Sequence, residues 1–344
     1  MIVRPIQITD LPAVFTLVRQ ASPELTSLPA DEERLAHRIR WAQRTFAGQV
    51  DRADADYLFV LEDDEQQVVG VSALKGGVGL REPWYNYRVG LTVSTSADLG
   101  IQRQIPTLFL SNELTGQSEV CSLYLRPDQR RASNGRLLSL GRFLFVAEFT
   151  QLFGNRLIAE LRGSADARGG SPFWDSLGRH FFKMDFSYAD HLSGLGNKSF
   201  IAELMPRQPL YTCLLTEQAQ AVIGKAHPNT EPALKILSAE GFAHKGYIDI
   251  FDGGPVIEAP VSGVRTVRDS QPLLLDIGSP DDKAPIWLIH NRRLENCRIT
   301  CAAARQMGNS LVVDRQTAKR LQLQPGDSVR AVPLLDQRQQ AVAA

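Results

Sequence analysis

The feature that most constrains this chain is a β-rich run from Val120 to Leu125, a polar loop from Arg126 to Asn134, and then Gly135 opening a long apolar helix. That helix is marked by Leu137, Leu138, Leu140, Phe143, Leu144 and Val146. A strand turning directly into a helix leaves the first helical N–H groups without intrahelical partners, and together with the helix dipole they make a ready site for a pyrophosphate. Taken alone, such a loop reads equally well as a solvated basic turn. Its neighbours along the chain decide between the two.

Ile2 to Ile6 alternates as a short strand, and Thr9-Asp10 before Leu11-Pro12 marks a helix start, with Val14, Leu17 and Val18 on one face. Leu35, Ile39, Ala42 and Phe46 recur at helical spacing, which predicts a second amphipathic helix over about 31–48. Tyr57 to Leu61 and Val68 to Ala73 read as a strand pair around Asp63-Asp64-Glu65. The order β, α, α, β, β therefore precedes the strand, loop and helix. Trp84 to Val89 begins a further β-rich stretch, and a strand follows the apolar helix at Leu157 to Leu161. Ser171-Pro172 caps a helix expected to continue into a strand over Phe182 to Phe186. Asn229-Thr230 precedes another helix that stops at Gly241, before the alternating run Tyr247 to Phe251. Two such helix-strand units suggest either a partial repeat at 200–255 or an extension of one sheet.

At 344 residues the chain exceeds what one hydrophobic core usually serves. Asp252-Gly253-Gly254-Pro255 is strong turn punctuation, so a core unit over 1–255 and a small β-rich domain with a disordered tail over 256–344 are expected. The fold class is α/β (α+β), a mixed sheet flanked by helices. Lysine plus arginine equals aspartate plus glutamate at 38 each, so no global field recruits nucleic acid, and a polyanion must be held by a local site. The first residues lack the regions of a secretion signal, and no apolar run approaches the roughly 20 residues of a membrane span, so the cytoplasm is expected. Cys121, Cys213, Cys297 and Cys301 are too scattered for a disulfide framework and read as packed thiols, with no metal site expected.

Arg130-Arg131-Ala132-Ser133-Asn134-Gly135 resembles the arginine-x-x-glycine-x-glycine loop of GNAT acyltransferases, which grips the pyrophosphate of coenzyme A. Gly135 matches the second glycine, while Ser133 stands where the first would be. A serine costs more than glycine at an unusual backbone angle and brings a side chain toward the phosphate. The resemblance implies a GNAT-type mixed sheet and coenzyme-binding roles for Leu125, Arg130, Arg131, Ser133, Asn134 and Gly135.

Five longer strings narrow the resemblance: Leu25 to Ala30, Glu82 to Gly90, Pro106 to Asn112, Phe200 to Pro206 and Ile248 to Pro255. Along almost its whole length the chain is similar to the arginine N-succinyltransferase family, and in particular to the beta-chain type of the pseudomonad two-subunit enzymes. That similarity implies transfer of a succinyl group from succinyl-CoA, a co-substrate rather than a resident cofactor, to the α-amino group of L-arginine in arginine catabolism. It also places the family's succinyl-CoA contact on Leu125 and its proton donor on His227, within Gly224-Lys225-Ala226-His227-Pro228.

Those implied roles are chemically reasonable. A backbone N–H at Leu125 can stabilise an oxyanion as it forms, which the leucine side chain cannot do. A histidine, titrating at about 6.5, can protonate a departing thiolate of reference pKa about 8.5. The succinyl carboxylate asks for an arginine, with Arg88 and Arg162 as candidates, and the guanidinium asks for a carboxylate, with Glu160, Asp249 and Asp252 as candidates. Each of these residues has a plainer reading as a member of a surface or inter-element ion pair, and that reading is the stronger one from sequence. Two other readings stay open: a GNAT acyltransferase for another amine such as ornithine, and a mainly structural subunit that completes a hetero-oligomer. The expected partners are the two small substrates and a homologous subunit or second copy.

Overall fold

The computed structural model of the chain describes residues 1–21, 25, 27, 28, 30–164, 170–194, 203–281 and 283–334, with backbone alone at 190, 191, 193 and 194. The expected disordered tail, parts of the strings at 25–30 and 200–206, and the His191 side chain lie outside the described residues.

The first half runs β1 (Ile2–Pro5), α1 (Leu11–Ala21), α2 (Glu32–Phe46), β2 (Asp56–Glu62) and β3 (Val68–Lys75), then a long hairpin of β4 (Asn86–Ser96) and β5 (Ile101–Ser111). β6 (Ser118–Leu125), α3 (Asn134–Glu148) and β7 (Arg156–Glu160) follow. Next come α4 (Pro172–Ser176), α5 (Gly178–Phe182), α6 (Phe186–Gly194), β8 (Leu210–Tyr211), α7 (Glu217–Val222), α8 (Glu231–Ala239), β9 (Ala243–Ile248) and β10 (Pro255–Pro260). The chain then forms α9 (Arg265–Asp269), β11 (Gln271–Ile277), β12 (Ile286–His290), β13 (Ile299–Ala303), β14 (Arg305–Met307), β15 (Ser310–Val313), α10 (Arg315–Leu321) and β16 (Ser328–Pro333).

All these strands join one sheet, in the order β14-β15-β11-β16-β12-β13-β1-β2-β3-β6-β7-β10-β9-β4-β5-β8. The central strands alternate because each face is covered by a different layer. Val14, Leu17, Leu35 and Ile39 of α1 and α2 pack on Leu58, Val60 and Val71. On the opposite face Leu138, Phe143, Leu144 and Phe145 of α3 pack on Val3, Phe59, Leu61 and Leu74. Phe145 is the hub of this second core, its ring 5.2 Å from Phe59, 5.2 Å from Tyr57 and 6.0 Å from His290. Truncating such a buried aromatic costs roughly 3–5 kcal/mol.

The C-terminal strands build their own core from Leu273, Leu275, Ile289, Leu311 and Val329 under Ala318 and Leu321 of α10. The unit is tied to the first strand of the chain by the pair Val3–Ile299. Helix ends follow local chemistry: Asp31, Ser171 and Asp314 each accept an N–H of their own first turn, and Pro172 sits where no intrahelical donor is needed.

Two expected strands differ. Phe182 to Phe186 is a helix-to-helix corner, with Lys183 left-handed at φ 52° between α5 and α6. Phe182 is buried by stacking on Trp174, 5.1 Å away, which lies 5.5 Å from Phe251 on its own account, and a short apolar run does not distinguish a strand from a buried helix. The run from Tyr247 to Phe251 leaves the sheet after Ile248 because the Asp249 carboxylate accepts the N–H groups of Phe251 and Asp252, closing a turn.

Candidate active site

The site begins with an irregularity in β6. Val71 of β3 pairs with Tyr124 and Ala73 pairs with Cys121, so Ser122 and Leu123 together face the single residue Ser72. This is a β-bulge, with Ser122 held at φ 51°. Arg126 N–H donates to the Val69 carbonyl at 3.0 Å, which makes Gly70–Leu125 a non-hydrogen-bonded pair. The Leu125 N–H therefore points away from β3, toward the β7 side. There β6 and β7 are paired at Ser118–Leu157 and Glu119–Ile158 and diverge beyond.

A cavity of about 740 Å³ fills the divergence and reaches both faces of the sheet. On the α2 face it is bounded by Arg34, His37 and Arg38, by Lys75 and by the segment from Gly77 to Trp84. On the α3 face it is bounded by Arg142, Thr230, Ala233 and Leu237, with α8 packed against α3. Glu160, Arg162, Asp249 and Asp252 line the β7 side.

Four of the sequence candidates thus meet in one cavity. Glu160 is held by Trp84 Nε1 at 3.1 Å and Asn86 Nδ2 at 2.8 Å, both donating to Oε1. Asp252 accepts the N–H of Gly163 at 2.6 Å and of Gly254 at 2.8 Å. Burial and then the neighbouring Asp249 push the Asp252 carboxyl well above the usual carboxylate range, against the pull of those two donors. Arg88 is not among the residues that line the cavity: half exposed, it donates to Glu113 at 2.8 Å and to the Tyr247 hydroxyl at 2.9 Å.

His227 is placed by its backbone. Its N–H donates to the Arg162 carbonyl at 2.8 Å, and Ala226 bridges Gly163, so the segment follows the end of β7. The ring Nδ1 accepts the Asn229 N–H at 3.2 Å as the cap of a short 3-10 turn. An Nδ1 that accepts leaves the proton of the neutral ring on Nε2.

The loop after β6 has the form expected for an anion cradle. Arg130 Nε donates to the Leu125 carbonyl at 3.0 Å and Asn134 Nδ2 to the Gln129 carbonyl at 3.1 Å, closing the loop over the strand end. Ser133 has an ordinary backbone at φ −96°, and the left-handed residue is Ala132 at φ 48°. The strain anticipated at Ser133 falls one residue earlier. A Cβ added at Gly135 would meet nothing nearer than Leu125 Cδ2 at 3.9 Å, so the protein's own packing does not require glycine there. Its missing side chain leaves the helix start open to a ligand.

Sequence reasoning overlooked the polar groups packed around the bulge. Asp56 accepts from Arg38 and Lys75, each at 2.7 Å, and although burial opposes ionisation these two cations hold its carboxyl well below the usual range. Arg142 was hidden by the apolar helix that carries it; a single charge among buried apolar neighbours was the available signal. The thiols of Cys121 and Cys301 are pushed up to about 12, chiefly by burial, which keeps them protonated and inert. No cluster of histidine, cysteine and carboxylate suited to a metal ion occurs among the described residues.

Residues 1–266 match the family described as arginine N-succinyltransferase beta subunit, and residues 271–333 match that subunit's C-terminal domain. The chain belongs to the arginine N-succinyltransferase beta-subunit family. It is 62% identical over 338 residues to arginine N-succinyltransferase subunit beta of Pseudomonas aeruginosa, covering 98% of this chain and 99% of that one. It is 45% identical over 336 residues to an arginine N-succinyltransferase of Escherichia coli, covering 97% and 98%. The solved structure of arginine/ornithine succinyltransferase subunit AI from Pseudomonas aeruginosa superposes with a TM-score of 0.88 at 34% identity, over 97% of this chain and 99% of that one. In this arginine N-succinyltransferase family member the matched length includes the bulged strand, the loop from Arg126 to Asn134 and the His227 segment.

Proposed function

We propose that the chain transfers the succinyl group of succinyl-CoA to the α-amino group of L-arginine, giving N2-succinylarginine and free coenzyme A. The observation that carries this reading is the cavity between diverging β6 and β7, open to both faces of the sheet, in a chain that spans nearly the full length of its arginine N-succinyltransferase relatives.

The coenzyme pyrophosphate lies against the start of α3, with Arg130, Arg131, Ser133, Asn134 and Gly135 around it. The thioester carbonyl faces the Leu125 N–H, which stabilises the oxyanion of the tetrahedral intermediate. Arginine enters from the α2 face, its guanidinium toward Glu160, Asp249 and Asp252, and its free amine attacks the thioester carbon. The C–S bond then breaks, His227 supplies the proton that the departing thiolate takes up, and the proton shed by the attacking nitrogen restores the ring, so that no net proton is gained or lost. Because Nδ1 accepts from Asn229, the ring must surrender that cap whenever it carries both protons. Of the two arginines that the sequence offers for the succinyl carboxylate, Arg162 lines the cavity and Arg88 does not.

The relative named for both arginine and ornithine makes ornithine the second acceptor to test. The test is thiol release by the purified chain with succinyl-CoA or acetyl-CoA against arginine, ornithine and lysine, for wild type and His227→Ala. Succinyl-CoA with arginine should be the best pair, and the variant should lose about 100- to 10,000-fold in turnover, the range of general acid–base catalysis. Equal rates with every amine would sink the acceptor assignment.

A partner subunit or second copy is part of this proposal. The outer half of the β4–β5 hairpin exposes Leu91, Val93, Leu99 and Ile101, and a two-stranded arm is marginally stable by itself. Sedimentation of the purified chain should show an oligomer that Leu91→Lys weakens. The free thiols fit a reducing compartment, and the cytoplasm is the proposed location.

A further inference from the structure

Arg142 is 2% exposed and sits in the middle of α3. Three other arginines with little exposure are paired with carboxylates: Arg38 with Asp56, Arg265 with Glu240, and Arg4 with Asp10 and Glu62. Arg142 has no ion pair among the described residues. Its acceptors are all neutral: Nε donates to the Ser139 carbonyl at 3.1 Å, Nη2 to Ser139 Oγ at 3.1 Å, and Nη1 to the carbonyls of Cys121 at 3.2 Å and Ala73 at 3.5 Å. Those last two flank the bulge, where the ladder between β3 and β6 is interrupted. Four of the five guanidinium N–H groups are therefore used, one on Nη2 is left, and the charge is uncompensated. Burial pulls this guanidinium down to about 10, as expected for a cation that lacks a nearby carboxylate. Arg142 also lines the cavity on the α3 face, the face where the coenzyme loop lies.

We propose that Arg142 binds the terminal carboxylate of the acyl donor and so selects a dicarboxylic acyl group. This rests on the acyl-transfer reading above and adds the residue that would distinguish succinyl-CoA from a simple acyl-CoA. Reach supports it. The Leu125 N–H and the Cys121 carbonyl lie four residues apart on a bulged strand, about 10–13 Å at roughly 3.3 Å per residue. A four-carbon acyl chain with a hydrogen bond of roughly 2.9 Å at each end spans about 10 Å, and a two-carbon acyl group falls short. The pyrophosphate is too far to be the anion, because Gly135 precedes Arg142 by about 10 Å of helix. The oxyanion is at the Leu125 end of the same span. Arg162 is the poorer choice, since it shares the β7 side of the cavity with Glu160, Asp249 and Asp252.

The test compares succinyl-CoA with butyryl-CoA, which has the same chain length without the charge, in wild type, Arg142→Met and Arg142→Lys. Steady-state kinetics with arginine is paired with calorimetric binding of each donor in the absence of amine. The ratio of kcat/KM for succinyl-CoA over butyryl-CoA should fall by about 100-fold in Arg142→Met, mainly through KM, the size expected for a lost charge-assisted hydrogen bond. Arg142→Lys, which keeps the charge, should recover part of the ratio. If the methionine variant does not fold, the lysine variant decides: a shift in donor preference of several-fold supports the proposal. An unchanged ratio in the folded variants overturns it. Calorimetry separates the two levels of inference, since wild type that binds succinyl-CoA preferentially but does not acylate arginine would refute the acceptor reading and leave Arg142 standing.

Discussion

The carboxylate of Asp252 accepts the backbone N–H of Gly163 at 2.6 Å, joining two positions 89 residues apart and locking the end of β7 to the turn after β9. Gly163 also bridges Ala226, so the same contact sets where His227 lies. A Cβ at Gly163 would lie 2.6 Å from the Asp252 carbonyl and 2.7 Å from its Oδ1. Gly163→Ala should therefore cost about 1–3 kcal/mol through overpacking. Urea unfolding should show that loss, and turnover should fall further than the stability change explains if His227, displaced with Ala226, has the proposed role of proton donor.

Asp249→Asn keeps the turn, since a single oxygen, Oδ1, accepts from both Phe251 and Asp252. It removes the charge that, after burial, raises the Asp252 carboxyl. Asp252 should then ionise at lower pH, and the acid limb of the pH–rate profile should move to lower pH. The KM for arginine should rise about 10-fold as one carboxylate leaves the guanidinium side, within the range for close charge pairs. An unmoved arginine KM would exclude Asp249 from that role.

Arg130 belongs to the loop rather than to the acyl end, so Arg130→Ala should weaken all coenzyme A thioesters alike. The expected change is about a 10-fold rise in KM for succinyl-CoA and acetyl-CoA together, steeper at low ionic strength, where charge contacts are least screened. Donor-selective loss would mean that Arg130 touches the acyl group.

His290 should make the fold sensitive to acid. Burial, then Arg330 and Arg292, pull its imidazole down to about 3, and in the folded chain Nδ1 accepts the Arg292 N–H at 2.8 Å. Between its ordinary value near 6.5 and about 3 the unfolded chain binds a proton that the folded chain refuses. Stability is therefore full above about 6.5 and is lost as pH falls through that window. Urea unfolding at pH 8, 6 and 5 should show this loss, and His290→Gln should flatten it.

Much of the layout was legible in the residue order. Periodicity marked α1 and α2 because one face of each is buried and the other is not, β2 and β3 showed as apolar β-rich runs because both of their faces are buried, and the cap at Ser171 announced a helix start by local chemistry alone. The corner from Phe182 to Phe186 was not legible, because Phe182 is buried by stacking on Trp174, which itself stacks on Phe251, and such contacts carry no period of their own. In the site, the loop from Arg130 to Gly135 stood out because its donors are close in sequence.

Arg142 and the wall formed by Glu160, Asp249 and Asp252 belong to a different kind of information. Their neighbours come from β3, β6, β7 and the turn after β9, and the Cys121 and Ala73 carbonyls that Arg142 meets lie beside a bulge that only strand pairing creates. Local sequence determines which helices and strands form, because caps, periods and turns act over a few residues. Which charges share a cavity, and which lacks a counterion, is decided only when the sheet closes and β6 diverges from β7, because burial and electrostatic pairing depend on distance in space.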